Sequence, residues 1–213
     1  MQSTRNGSPR IVLDWDGTVT EIDSLHMVLE EFGDASLYEQ AERQLGRELT
    51  LHEVIALEFA SVRAPLETVA AWVRERVRVR AGFRELVTRH APVILSSGFT
   101  ELIEPVLDRE GVSPELLANR LDPSPDGWRV IFRDVAPCPV CGEACKRGSL
   151  PPGDVVYVGD GFSDRCAALA ASRVFARDGL ARWLGDQGAS YEPWTDFGEL
   201  LERLEDRPMR SEP

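Results

Sequence analysis

The feature that most constrains the fold is an apolar run that ends in two aspartates, within residues 10–20. Ile11, Val12 and Leu13 are consecutive branched apolar residues, which is typical of a strand buried on both faces of a parallel sheet. Asp14 and Asp16 follow directly, and burying carboxylates is costly unless a cation lies beside them. Because open α/β sheets bind ligands beyond the carboxyl ends of their strands, this run predicts an α/β fold with a hard metal ion at the two aspartates.

An alternative interpretation is that Asp-Gly after a strand is a common turn, so that the two aspartates only form a loop. Two later segments have the same form as the first. Residues 91–98 are a short apolar run that reaches Ser96, and residues 155–158 run into Gly159-Asp160, with Asp164 beyond. Three apolar strands that each end in polar side chains favour a functional site over a simple loop.

The segment between the first two strands has helical periodicity and few β-branched clusters. Thr50 and Glu53 form a capping-box pattern that predicts a helix start, and Pro65 predicts another. Gly82 precedes a further short helix over residues 83–90. This helical block predicts a cap domain of residues 21–89, inserted into an α/β core of residues 1–20 and 90–213.

The remaining elements are predicted from local patterns. A helix is expected over residues 100–110 and another from Ser113-Pro114, and Asp126-Gly127 predicts a hairpin turn. Residues 174–176 are expected to form the last strand, and residues 199–204 the closing helix. Residues 1–9 and 207–213 are expected to be disordered, and the first nine residues lack the apolar run of a signal peptide.

Composition excludes some classes of function. The chain has 213 residues and a formal net charge of −12, which argues against nucleic-acid binding because that needs a basic surface. No stretch approaches the length of a transmembrane helix, so we expect a cytoplasmic protein without membrane partners. An anionic substrate remains compatible, because a bound divalent cation can reverse the local field.

The order of these features resembles the haloacid dehalogenase superfamily of phosphohydrolases over nearly the whole chain. The four matching motifs are Asp14-Trp15-Asp16-Gly17-Thr18, Ser96, Lys146, and Gly159-Asp160 through Asp164. The resemblance implies a Rossmann-like doubly wound parallel sheet with a helical cap. It also implies Mg²⁺ as the cofactor and a small phosphorylated metabolite as the substrate.

In this interpretation Asp14 attacks phosphorus to form an aspartyl-phosphate, and Asp16 acts as general acid and then general base. Lys146 and Ser96 contact the transferring phosphoryl group. Lys146 stands out because nearly all other basic residues of the chain are arginine, and a compact ammonium group suits this role better than a planar guanidinium. Asp14, Asp16 through its backbone carbonyl, and Asp160 are expected to hold Mg²⁺. Asp164 is expected to bind the metal through water or to orient Lys146, with a simple helix-start aspartate as the alternative.

The substrate contacts are less determined than the catalytic ones. Ser97 is an alternative to Ser96, and Gly98 follows it in the same motif. Asp23 lies where relatives carry an acid that faces the substrate, but it also suits a helix N-cap. Three arginines are candidates for gripping a substrate carboxylate or are solvated helix faces. They are Arg63, Arg74 and Arg84.

Within the superfamily the chain looks like the phosphoserine phosphatase-like group, and most like the 2-hydroxy-3-keto-5-methylthiopentenyl-1-phosphate phosphatases of methionine salvage. The shared features include Asp23, residues 82–85 and a cysteine-rich loop that leads into Lys146. Trp15 in place of the usual Phe and Ser-Ser-Gly in place of Ser-Gly-Gly are departures. A phosphoserine phosphatase is the alternative activity, and a monomer or homodimer is expected.

The cysteines support a separate hypothesis. Cys138, Cys141 and Cys145 have a spacing suited to zinc, but tetrahedral closure needs a fourth ligand. Cys166 is the remaining cysteine, and in sequence it lies next to Asp164 and away from the loop. Incidental thiols are therefore favoured. A non-catalytic zinc-binding or interaction protein stays open as an alternative of another class, as does a phosphotransferase such as a mutase.

Overall fold

The computed structural model of the protein describes residues 9–206, so the predictions of disorder for residues 1–8 and 207–213 lie outside the described residues. A central sheet has the strands β1 (Arg10–Leu13), β2 (Val93–Phe99), β3 (Glu115–Asp122), β4 (Arg129–Ile131), β5 (Val155–Gly159), β6 (Arg173–Ala176) and β7 (Glu192–Pro193). The α-helices are α1 (Ser24–Phe32), α2 (Ala35–Gln44), α3 (Leu51–Phe59), α4 (Leu66–Arg76), α5 (Phe83–His90), α6 (Thr100–Glu110), α7 (Arg165–Ala168), α8 (Asp178–Asp186) and α9 (Phe197–Asp206).

The sheet is doubly wound around β1. Its strand order is β4-β3-β2-β1-β5-β6-β7, so the chain first builds outward on one side of β1 and then on the other. Neighbouring strands are parallel except for the antiparallel β3–β4 hairpin. The predicted fold class is confirmed. The point where the winding changes direction, beside β1, is where such sheets place ligands.

Both faces of the sheet are buried, as the apolar run of β1 predicts. Ile11 and Leu13 pack on one face with side chains from α1, α3, α4, α5, α6 and α9. Val12 points to the other face, where it packs with Leu180 and Leu184 of α8. Consecutive strand residues alternate between the two faces, so an uninterrupted apolar sequence is what this position requires.

Helices α1 to α5 occupy the segment between β1 and β2, as the periodicity predicts. The capping box at the start of α3 is confirmed: Thr50 Oγ1 accepts from Glu53 N at 3.2 Å, and Thr50 N donates to Glu53 Oε2 at 2.8 Å. Phe83 of α5 lies 5.8 Å from Phe197 of α9, ring centroid to ring centroid.

The division of the chain into a cap and a core remains a prediction. None of the helices described over residues 9–206 is long and apolar enough to cross a membrane.

Three local predictions are wrong. Ser113-Pro114 does not begin a helix; the next residue begins β3, whose Leu116 and Leu117 pair in parallel with Ile94 and Leu95. Here the burial gained by joining the sheet overrides the helical propensity of the leucines. Residues 174–176 lie in β6, which is not the last strand, because α8 and β7 follow. Strand β2 continues through Ser96 to Phe99 and does not end at the serine.

Candidate active site

The carboxyl ends of β1, β2 and β5 bring three of the sequence motifs together. Asp14 directly follows β1, and its backbone N donates to Val158 O of β5 at 2.9 Å. Asp160 comes one residue after β5, and Ser96 lies within β2 on the other side of β1. Parallel pairing of adjacent strands therefore converts three distant sequence positions into one cluster.

Lys146 lies at the centre of this cluster. It is the only lysine of the sequence, and its side chain is 3% exposed. Nζ contacts Asp14 Oδ1 and donates to Asp164 Oδ1 at 2.7 Å. Burial alone lowers the pKa of a lysine, but the two aspartates outweigh it and raise the pKa of Lys146 above its ordinary value. The ammonium group is therefore charged and held between two carboxylates.

Asp164 has every oxygen lone-pair direction engaged. Oδ1 accepts from Lys146 and from Tyr157 OH at 2.7 Å, and Oδ2 accepts from Asp160 N at 3.0 Å and Gly161 N at 2.9 Å. Burial opposes its ionisation, but the lysine and these donors lower the pKa of Asp164 below its ordinary value. Four donors on one carboxylate favour an orienting role for Asp164 over direct metal ligation.

Asp14 and Asp160 offer the carboxylate oxygens that fit a divalent cation. They lie beside the fully bonded Asp164, and each of the three residues has an oxygen within 4.8 Å of the others. Thr18 Oγ1 donates to Asp160 at 2.9 Å, and Gly17 adopts φ +72° with its α-carbon so close that a Cβ would lie 2.3 Å from Asp160 Oδ2. A glycine is required at this position because a side chain would displace the Asp160 carboxylate.

Charge at this centre is unbalanced in the chain alone, because one ammonium group faces three carboxylates. Burial raises the pKa of Asp14 above its ordinary value, with the negative charge of Asp164 adding to the effect and Lys146 opposing it. Burial and the charge of Asp164 raise the pKa of Asp160 to about 6. A bound divalent cation would relieve this excess, and oxygen ligands are those that Mg²⁺ prefers.

Asp16 is separate from this group and faces the helical block. Its Oδ1 accepts from Ser24 N at 2.9 Å and also contacts Ser24 Oγ at the start of α1. Burial and the nearby charge of Asp23 raise the pKa of Asp16 to about 7, although the bonds from Ser24 act in the opposite direction. The first helix of the block thus fixes the orientation of this carboxylate.

A cavity of about 210 Å³ opens above the two aspartates of the first motif. Asp14, Asp16, Ser97 and Gly98 line it. Ser96, in contrast, lines a neighbouring cavity of about 350 Å³ together with Lys146, and its Oγ accepts from Gly98 N at 2.8 Å. Ser97 borders both cavities, so the structure keeps both serines near the site.

Helices α1 to α3 supply the opposite wall of the 210 Å³ cavity. Asp23 lines it and also caps α1 by accepting from His26 N at 2.9 Å, so both interpretations of Asp23 describe the same side chain. Glu58 lines the cavity at 5% exposure, and its Oε1 has no hydrogen-bond partner among residues 9–206. Burial, with the charges of Glu42 and Asp23, raises the pKa of Glu58 to about 8.

Sequence reasoning missed several of these residues. Glu58 and Tyr38 lie on helical faces that have no motif of their own. Tyr157 stands out within an otherwise aliphatic strand, and a fully buried tyrosine needs a partner for its hydroxyl group, which is a usable signal. Arg80 donates to the carbonyl oxygens of three residues in the loop after Asp14, at 3.0 to 3.1 Å. These are Gly17, Thr18 and Thr20.

The arginines considered for binding a substrate carboxylate do not line the 210 Å³ cavity. Arg84 pairs with Glu110 at 2.9 Å, and Arg63 borders a different surface pocket with α1 and α3 residues. The carbonyl of Arg74 accepts from Arg109. Solvated or structural roles therefore describe these three residues.

The cysteines differ from the sequence-based expectation. The sequence position of Cys166 predicts that it lies away from the cysteine loop, but its Sγ lies within 4.8 Å of the Sγ atoms of Cys138, Cys141 and Cys145. The reason is that Cys145 immediately precedes Lys146, and Cys166 comes two residues after Asp164, which binds that lysine. The salt bridge and the sulfur cluster bring the same two segments together.

Comparison with known proteins agrees with this geometry. The family model for haloacid dehalogenase-like hydrolases matches residues 11–169, and the chain belongs to that family. A relative from Geobacillus kaustophilus (strain HTA426), a 2-hydroxy-3-keto-5-methylthiopentenyl-1-phosphate phosphatase, is 27% identical over 212 residues, with 90% of this chain and 93% of the relative covered. A phosphatase of the same name from Bacillus mycoides (strain KBAB4) is 23% identical, with 92% and 96% covered.

Solved structures show the same fold. A substrate-bound phosphoserine phosphatase complex aligns with a TM-score of 0.66 and 17% identity, covering 92% of this chain and 99% of the other. Phosphoserine phosphatase from T. onnurineus, in complex with NDSB-201, aligns with a TM-score of 0.65 and 23% identity, covering 97% and 99%. At these identities the likeness concerns the fold and not the substrate.

Proposed function

We propose that this hydrolase is a Mg²⁺-dependent phosphatase that acts on a small phosphomonoester through an aspartyl-phosphate on Asp14. The observation that carries the proposal is the buried Asp14 carboxylate on the floor of the 210 Å³ cavity. It contacts Lys146 on one side and lies beside Asp16 on the other. A buried carboxylate with an ammonium group on one side and a second carboxyl group on the other provides a nucleophile, a charge-neutralising group and a general acid, which are the groups that phosphoryl transfer needs. The names of the relatives support the same class of reaction.

The proposed Mg²⁺ ligands are Asp14, the backbone carbonyl of Asp16, and Asp160. The excess of carboxylates over ammonium groups, and the space that Gly17 leaves for Asp160, support a cation here. When bound, Mg²⁺ neutralises phosphate charge and so lets an anionic nucleophile approach. Asp164 orients Lys146 and the loop of residues 160–161, as its four hydrogen-bond donors indicate.

The first chemical step forms a bond between an Asp14 carboxylate oxygen and phosphorus as the ester P–O bond breaks. Asp16 donates its proton to the leaving alkoxide, which departs as an alcohol. In the second step Asp16 takes a proton from water, the water oxygen attacks phosphorus, and Asp14 is released with inorganic phosphate. Lys146 offsets negative charge on the transferring group, and Ser96 or Ser97 donates a hydrogen bond to it.

The proposed cap, residues 21–89, closes over this cavity and limits water during the first step. Within residues 9–206, no lysine or arginine lines the cavity. A second phosphate, as a mutase would hold, therefore has no cationic partner there. Hydrolysis is favoured over phosphotransfer for the same reason.

The cavity lining also bears on the substrate. Leu25, Leu29 and Ile55 give it an apolar side, while Asp23 and Glu58 give it hydrogen-bonding groups. A 2-hydroxy-3-keto-5-methylthiopentenyl-1-phosphate has, by its name, hydroxyl, keto and methylthio groups besides the phosphate. These groups need apolar surface and hydrogen bonds but no cation. The proposed substrate is therefore this methionine-salvage compound, or a close analogue whose only charged group is the phosphate.

Phosphoserine is the second candidate substrate because the cavity lining is acidic, which favours the ammonium group of phosphoserine but not its carboxylate. Asp23 would suit its ammonium group, but its carboxylate would have no basic partner in the described lining. Phosphoethanolamine carries the ammonium group without the carboxylate, and therefore separates the two requirements. We also propose that the enzyme is cytoplasmic and acts on a small soluble metabolite.

The test is a comparison of kcat/KM for Mg²⁺-dependent phosphate release from three substrates. They are the methylthio enol-phosphate, phosphoserine and phosphoethanolamine. We expect the enol-phosphate to be preferred by at least about 100-fold, a difference of about 3 kcal/mol in transition-state stabilisation. A preference for phosphoserine over both others would contradict the proposed substrate while leaving the phosphatase class intact. No turnover of any phosphate ester would contradict the class.

A further inference from the structure

We propose that Cys138, Cys141, Cys145 and Cys166 bind one structural Zn²⁺ ion. This site is distinct from the carboxylate centre and does not depend on the reaction proposed above. Three of the cysteines belong to the loop before Lys146, and the fourth lies in α7. All four Sγ atoms lie within 4.8 Å of one another, which is the donor set of a closed structural zinc site.

The distances match a shared metal better than other uses of four thiols. A tetrahedral Zn²⁺ with Zn–S bonds of about 2.3 Å places its sulfur ligands about 3.8 Å apart. A disulfide needs about 2.05 Å between two sulfurs, and the four cysteines are free. Incidental buried thiols do not need to converge from two segments that are 21 residues apart in sequence, as Cys145 and Cys166 do.

The backbone around Cys138 favours a thiolate. Val140 N, two residues after this cysteine, donates to Cys138 Sγ at 3.4 Å. Hydrogen bonds from N–H groups stabilise the anionic form of sulfur, which is the form that binds metal.

The loop itself is shaped to hold the first pair of ligands. Gly142 N donates to Cys138 O at 2.8 Å, and Cys138 N donates to Glu143 O at 2.7 Å, which closes a tight turn. Gly142 is at φ +78°, a conformation that favours glycine. The turn therefore brings Cys138 and Cys141 to the same side of the loop.

The choice of metal follows from the ligands. Four thiolates are soft donors that select Zn²⁺ over Mg²⁺, which prefers carboxylate and water oxygen. The chain thus separates two metals by ligand chemistry. Zinc would join the loop of residues 138–145 to α7, and so hold together the two segments that flank Lys146 and Asp164.

The experiment is the metal content of the full-length protein, purified without added metal and without strong chelator. We expect about one zinc per chain in the wild type, since a site of four cysteines is closed and binds zinc tightly. Cys166→Ser and Cys141→Ser should each reduce the zinc content at least about fivefold, because each removes one of four ligands. Val140→Ser, an exposed change in the same loop, is the matched control and should retain the metal.

Two further measurements keep the test decisive if a cysteine variant fails to fold. Asp160→Asn should retain zinc, which excludes binding at the carboxylate centre. Wild-type protein loaded with Co²⁺ should show thiolate-to-cobalt charge-transfer absorption and tetrahedral d–d bands. Wild-type protein with less than about one-tenth zinc per chain and no such cobalt spectrum would overturn the proposal. Zinc that is retained in full by both folded cysteine variants would overturn it as well.

Discussion

Replacing Lys146 with methionine tests the charge balance of the site, because it keeps the length of the side chain and removes its charge. In the wild type this side chain is 3% exposed and holds together Asp14, which is 7% exposed, and Asp164, which is 0% exposed. The variant leaves both carboxylates buried without a cation. Breaking such a pair by removing one partner costs about 3–5 kcal/mol of unfolding free energy.

The structure places the expected value near the lower end of that range. Asp164 keeps three donors after the substitution, namely Tyr157 OH and two backbone N–H groups, and Asp14 keeps the bond from Trp15 N at 2.7 Å. We therefore expect Lys146→Met to lose about 3 kcal/mol at pH 8 without divalent metal. In the variant the folded-state pKa of Asp14 or Asp164 rises above its value in the wild type, so the folded variant binds more protons than the folded wild type. Each pH unit toward acid then returns up to about 1.4 kcal/mol of the difference between the two proteins, so the loss should be smaller at pH 6 than at pH 8.

The assay is urea-induced unfolding of wild type and variant in the presence of a chelator, at pH 8 and pH 6. Arg182→Met removes a positive charge from an exposed position and is the matched control, with an expected change below about 0.5 kcal/mol. A Lys146→Met protein as stable as the wild type at pH 8 would refute the reasoning. So would a loss that grows toward pH 6.

Three further predictions follow from single contacts. Gly17→Ala places a Cβ 2.3 Å from Asp160 Oδ2, and should raise the Mg²⁺ concentration for half-maximal activity at least about tenfold, measured by metal titration. Glu58→Gln removes a carboxyl with a pKa of about 8. The wild-type folded state holds this proton between pH 5 and 8 while the unfolded state releases it, so wild-type stability falls with pH there, and the variant should show a shallower fall in urea unfolding. Asp16→Asn should lower kcat at least about 100-fold and accumulate the aspartyl-phosphate, detected by mass spectrometry after acid quench, because breakdown of the intermediate needs a base.

Much of the fold could be predicted because its signals are local. The apolar residues 11–13 must be buried on both faces of the sheet, and the capping box at Thr50 marks the residue at which α3 begins. The candidate site was predictable for a related reason. Adjacent parallel strands place their carboxyl ends at one edge, so polar residues after three apolar runs are brought together by topology alone.

Other features depend on tertiary packing and left no local signal. Residues 115–122 read as helical, and only pairing with β2 makes them a strand. Glu58 resembles any charged helical residue, and only the position of α3 in the fold directs its side chain toward the cavity.

The cysteine cluster lies between these two cases, because it could be predicted in part. A predicted contact between Lys146 and Asp164 already implies that Cys145 and Cys166 are near each other, so the fourth sulfur could have been inferred.

The most direct test of the central claim is Mg²⁺-dependent phosphate release by wild type and Asp14→Asn, each verified as folded. The account predicts turnover by the wild type that is abolished by chelation and restored by Mg²⁺. It predicts a loss of at least about 10⁴-fold for Asp14→Asn, because the amide cannot form the covalent intermediate. Asp23→Asn, which alters a residue of the opposite cavity wall, should change KM more than kcat. Substantial turnover by Asp14→Asn would contradict the assignment of Asp14 as the nucleophile.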